Sequence, residues 1–178
     1  MMEESSNSPK SSIRSLPSPS TPVQISDTLI RVVCRFRPQN EMELANNGQN
    51  IISIEESGNE QTVVVRGKEF QGHFTFDQVF DWDSTQSQIF EYSAESTIND
   101  VLNGYNGTIF AFGQTGSGKT FTMMGKDTDE LKGLIPRIVE RIFDRILKSD
   151  DEDIEFTVRV SYLEIYLEKI RDLLNRKN

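Results

Sequence analysis

The chain has 178 residues, room for one domain, and is 35% hydrophobic and 26% charged, a composition that permits a globular core. Its net charge of −9 argues against nucleic acid as a partner, because phosphate backbones recruit Lys and Arg. One cysteine, Cys34, and one histidine, His73, leave no material for an internal disulfide, a histidine metal cluster or a Ser-His-Asp triad. No run of 18 apolar residues and no apolar signal core occurs, so the expectation is a soluble intracellular protein with no membrane contact.

Residues 1–26 form a Ser/Pro tract holding Pro9, Pro17, Pro19 and Pro22. With few apolar residues it is expected to be a disordered tail. Residues 29–36, with Ile30, Val32, Val33 and Cys34, read as a first core strand that Pro38 terminates. Cys34, set among apolar neighbours, reads as a buried, inert thiol. Residues 51–54 and 62–65, joined through Ser57-Gly58-Asn59, read as a small peripheral hairpin, and residues 70–80 hold a further strand ending near Phe76-Asp77. Thr85 with Gln88 makes a capping box that opens a helix along Ile89, Phe90, Ala94, Ile98, Val101 and Leu102, closed by Gly104.

Thr108-Ile109-Phe110-Ala111-Phe112 is a short apolar run, the pattern of a buried parallel strand. It leads into Gly113-Gln114-Thr115-Gly116-Ser117-Gly118-Lys119-Thr120, a complete G-x-x-x-x-G-K-T phosphate-binding loop followed by helix-compatible sequence. The glycines let successive N–H groups turn inward onto phosphate oxygens, and the start of the next helix adds partial positive charge. Lys119 reaches the β- and γ-phosphates, and the Thr120 hydroxyl ligates Mg²⁺. The loop alone does not choose the triphosphate.

The polar stretch 126–132 interrupts that helix. An amphipathic helix then carries Ile135, Ile138, Val139, Ile142, Phe143 and Ile146 on one face, with Pro136 in its first turn. The acidic run 150–153 reads as a solvated loop, and Phe156, Val158, Val160 and Tyr162 alternate as a half-buried strand. Ile170, Leu173 and Leu174 suggest a last helical turn. Strands alternating with helices around a phosphate loop define an α/β layered domain of the P-loop NTPase type, flanked by helices, with ligand at the carboxyl ends of the strands.

Four blocks, spanning residues 30–175, resemble the kinesin motor domain: Arg35-Phe36-Arg37-Pro38; Phe76-Asp77-Gln78-Val79-Phe80; Tyr105 through the loop to Phe121-Thr122-Met123; and Ser161-Tyr162-Leu163-Glu164-Ile165-Tyr166. The ending Leu167-Glu168-Lys169-Ile170-Arg171-Asp172-Leu173-Leu174 is most similar to conventional kinesin heavy chains. The resemblance implies ATP or ADP with Mg²⁺ as cofactors, and Arg35 and Pro38 beside the adenine. Phe121 fits either a place on that ring or core packing at a helix start. Glu164 belongs to a block that is structural in the family. The resemblance also implies that residues 27–178 are the N-terminal half of a motor domain. The two switch segments that sense the γ-phosphate, the microtubule-binding elements and any dimerising coil are expected downstream. The implied function is ATP-driven movement along microtubules by the complete protein, in the cytoplasm on the cytoskeleton. The alternative is a nucleotide-binding or interaction fragment without ATPase activity.

Overall fold

The computed structural model describes residues 30–58, 60–149 and 154–175. The expected tail, residues 1–26, and the acidic run 150–153 lie outside the described residues. The chain divides into residues 1–31 and 32–178, and the fold below is that of the second unit.

Strand β1 (Val33–Arg35) pairs in parallel with β5 (Gln78–Phe80), with Cys34 opposite Val79. The ladder extends through the Phe36 N–H to the Phe80 carbonyl at 2.8 Å. Between these two strands the chain forms a short helix, α1 (Glu41–Ala45), and an antiparallel sheet of β2 (Ile52–Ser57), β3 (Glu60–Arg66) and β4 (Gln71–Phe76), with β3 central. This is the expected hairpin, joined by the strand expected within residues 70–80, which ends at Phe76. Val63 and Val64 on β3 are both buried.

Helices α2 (Gln86–Ser93) and α3 (Glu95–Leu102) follow. Thr85 accepts from the Gln88 N–H while the Gln88 side chain accepts from the Thr85 N–H, the reciprocal capping box read in the sequence. The single helix expected there is interrupted at Ala94 (φ −118°). Even so, the Ala94 N–H still reaches the Phe90 carbonyl, and Ala94 accepts from the Ile98 N–H, both at 2.9 Å. Gly104 closes α3 at φ +93°, where a side chain is strained. Helix α4 (Lys119–Met123) is short, and α5 (Leu134–Leu147) is the long amphipathic helix. Pro136 sits at its third position, where no intrahelical N–H bond is lost.

The core is the cluster of Phe80, Ile89, Phe90, Ala94, Ile98 and Leu134, against which Ile109, Met123, Ile138 and Ile142 pack. Each large member stabilises the fold by roughly 1.5–3 kcal/mol through apolar burial. The cluster joins β5, α2, α3, α4 and α5 behind the phosphate loop, so it fixes where that loop stands.

Three expectations are corrected. Residues 108–112 belong to no strand, and the alternating stretch 156–162 likewise lacks a ladder. Ile109 packs on the core, whereas Phe110 is 89% exposed and Phe112 fully exposed. A strand exists only with a partner, and the described residues give these segments no ladder; only at the end of the second does the Tyr162 carbonyl accept from the Leu173 N–H, at 2.8 Å. Residues 170–174, expected as a helical turn, instead carry β7 (Lys169–Asp172), paired antiparallel with β6 (Leu163–Tyr166). The two-residue turn between them places Leu167 (φ +49°) and Glu168 (φ +59°) in left-handed backbone.

Candidate nucleotide site

The phosphate loop is shaped by its glycines. Gly113, Gly116 and Gly118 stand at φ +152°, +81° and +101°. A Cβ on Gly113 would come within 2.6 Å of Ser117 Oγ. Gly118 then caps α4 with no side-chain hydrogen bond to that helix, which leaves the N–H groups of its first turn facing the site. The Lys119 ammonium donates to the Gly113 and Gln114 carbonyls, each at 2.8 Å, and so lies folded along the loop.

One arginine of the Arg35-Phe36-Arg37-Pro38 block meets this loop from the end of β1. Arg37, which sequence reasoning did not single out, donates Nε to the Gly116 carbonyl at 2.9 Å. Its Nη1 and Nη2 form a two-pronged bond to Glu43, at 2.8 and 2.6 Å. Glu43 is also the third residue of α1 and accepts from the Asn40 N–H, completing that helix's capping box. The Arg37 guanidinium, and then the Asn40 N–H, hold the Glu43 carboxyl down at about 2. A signal was present: Asn40-Glu41-Met42-Glu43 has the spacing of a capping box.

Arg35 faces the other way. Its Nη1 donates to Gln86 Oε1 and Thr122 Oγ1, both at 2.9 Å, and its guanidinium lies 5.3 Å over the Phe121 ring. Burial pushes its pKa below the usual arginine value. The Phe121 ring thus packs beneath a cation at the start of α4.

These groups line one cavity of about 410 Å³. Lys119, Gly118 and Ser117 stand on its phosphate-loop side, with Arg35, Pro38 and Phe121 also in its wall. Among the described residues its lining includes Arg35, Arg37 and Lys119 and no carboxylate or histidine. A larger hollow of about 700 Å³ lies elsewhere, against β5 and α2, and among the described residues is lined by Glu56, Asp81 and Glu91 without a cation. That lining repels phosphate, so the smaller cavity is the candidate despite its size. Glycine loop, uncapped helix start and Lys119 suit a phosphate chain. No group of three or more His, Cys, Asp or Glu among the described residues could hold a metal without such a ligand. Cys34 is half-buried, and burial pushes its thiol above the usual range.

The kinesin motor domain family model matches residues 35–178. The kinesin heavy chain of Syncephalastrum racemosum is 57% identical over 148 residues, 82% of this chain and 16% of that protein. The kinesin heavy chain isoform 5C of Homo sapiens is 50% identical over 147 residues, 82% of this chain and 15% of that protein. A solved structure of a fast kinesin superposes with a TM-score of 0.77 at 56% identity, covering 84% of this chain and 42% of that one. This chain belongs to the kinesin motor domain family, with an incomplete form of its α/β fold. It spans about one sixth of the length of those curated relatives.

Proposed function

We propose that this chain is the ATP-binding portion of a microtubule motor, with residues 27–178 as the N-terminal half of its motor domain. The observation that carries the reading is the single cavity in which the phosphate loop and Lys119 converge with Arg35, Pro38 and Phe121. In this reading Gly113, Gln114, Thr115, Gly116, Ser117, Gly118 and Lys119 hold the phosphates of ATP or ADP, and the Thr120 hydroxyl holds Mg²⁺. Bound Mg²⁺ neutralises charge on the phosphate oxygens. Arg35, Pro38 and Phe121 address the purine through flat faces rather than edge-on hydrogen bonds, so base selectivity is loose.

Support for the motor activity of the complete protein comes from relatives called kinesin heavy chain and from the fast kinesin, whose description speaks of an ATPase mechanism and interactions with microtubules. On this reading hydrolysis drives movement along microtubules, in the cytoplasm on the cytoskeleton, and dimerisation belongs to the full-length protein. A second reading, nucleotide binding without turnover, draws support from the cavity lining: among the described residues it offers no carboxylate or histidine to orient a water. Microtubule-stimulated phosphate release separates the two. Stimulated turnover by the chain supports an ATPase; binding with no turnover supports the second reading; neither binding nor turnover refutes both.

A further inference from the structure

Among the described residues Gln86 is the buried polar side chain, 4% exposed, in the first turn of α2. Its amide is fully used. Oε1 accepts from Arg35 Nη1 at 2.9 Å, while Nε2 donates to the Phe121 carbonyl at 2.7 Å and to the Leu131 carbonyl at 3.2 Å. Three separate segments therefore meet at one group: the end of β1, the helix behind the phosphate loop, and the loop 125–133. The helix α2 does not need this arrangement. Its cap is the Thr85–Gln88 box, and its core face is Ile89 and Phe90.

What the bonds fix is the wall of the cavity. Arg35 is held over the Phe121 ring by its bonds to Gln86 and Thr122, and Arg35 and Phe121 both line the cavity. The loop is a closed unit in its own right. Gly125 and Lys132 bridge through their backbones, and Lys132 pairs with Asp129 at 2.8 Å and Glu140 at 2.6 Å. A Cβ on Gly133 would meet Met123 and Met124 backbone at 2.6 Å, so the loop sits hard against the end of α4. Buried amides with several partners resist rearrangement, because each orphaned partner would keep its full desolvation cost.

We infer that Gln86 is a positioning residue for the nucleotide: it sets the Arg35–Phe121 wall and ties it to loop 125–133, so base recognition depends on a residue that does not touch the base. The inference rests on the nucleotide reading above and adds to it a determinant for the base rather than the phosphates.

The test uses the full chain with two substitutions. Gln86→Glu keeps the acceptor for Arg35 and turns a carboxylate toward two carbonyls that had received N–H bonds; Gln86→Leu removes all three bonds. Affinities for Mg·ADP and Mg·UDP are measured by competition. In Gln86→Glu, ADP weakens about tenfold and UDP about twofold or less, the scale set by losing buried hydrogen bonds on the base side alone. Without nucleotide, hydrogen exchange across residues 126–132 also rises in this variant. Unchanged ADP affinity, equal weakening of ADP and UDP, or unchanged exchange in the loop overturns the proposal. If Gln86→Leu does not fold, Gln86→Glu decides. A wild-type chain that binds neither nucleotide refutes the nucleotide reading itself and the inference with it, an outcome distinct from a Gln86 variant indistinguishable from a wild type that binds.

Discussion

Gly116 offers a clean separation of backbone conformation from bulk at the phosphate loop. It stands at φ +81°, and a Cβ built on it meets nothing within 4 Å. Gly116→Ala therefore changes the conformational preference of the loop and little else. Holding an L-residue in left-handed backbone costs about 1–2 kcal/mol. If the loop must keep this shape to hold phosphate, the whole cost appears in affinity, about 5–30-fold weaker Mg·ADP. Gly116→Asn should fall between wild type and Gly116→Ala, because Asn enters left-handed backbone more readily. Gly113→Ala should be worse than either, since its Cβ would also collide with Ser117 Oγ at 2.6 Å. The core cluster lies away from this substitution, so the melting curve of Gly116→Ala should stay close to that of wild type. Isothermal titration of the four proteins checks the order. Wild-type affinity in Gly116→Ala would refute the reasoning, because it would show that the left-handed backbone is not required for binding.

Other outcomes follow from single sites. The turn at Leu167 and Glu168 has positive φ at both positions without a glycine or asparagine. Leu167→Asn with Glu168→Gly should slow hydrogen exchange of the β6–β7 ladder about tenfold, on a gain of about 1–2 kcal/mol; unchanged exchange would contradict the strain. The Glu43 carboxyl, at about 2 against an ordinary 4.5, is held by the bond from Arg37. A depressed value means the pair's contribution is complete above the ordinary value and is lost as pH falls through about 2. NMR titration should accordingly show no Glu43 midpoint between pH 3 and 6, where an ordinary glutamate titrates, and a midpoint near 4 would mean that the pair does not form. Burial raises the Cys34 thiol pKa, so at pH 8 it should react with a thiol reagent more slowly than in urea-unfolded chain; equal rates would argue against its burial.

Local signals in the sequence survived into the structure where neighbouring residues supply the partners. The Thr85–Gln88 box, the β2–β3 hairpin, the left-handed Gly104 and the amphipathic α5 are of this kind. The phosphate loop was legible for the same reason, since its shape is set by its own glycines. Residues 108–112 were misread because an apolar run implies burial but cannot supply a partner strand. Ile109 finds the core on one side, while Phe110 and Phe112 stay exposed on the other. The β6–β7 hairpin was hidden because Leu167-Glu168 has none of the usual turn residues. At the site, the legible part was the motif, and the illegible part was what holds it. Arg37 reaches Gly116 across 79 positions of sequence, and Gln86 reaches Leu131 across 45. No periodicity links residues so far apart.

The most direct measurement of the central claim is calorimetric titration of Mg·ATP and Mg·ADP into the purified chain, with Lys119→Ala alongside. Saturable binding at one site is expected, weakened at least about tenfold in Lys119→Ala by loss of a charged donor to phosphate. No binding by the wild-type chain, or equal binding by Lys119→Ala, would contradict it.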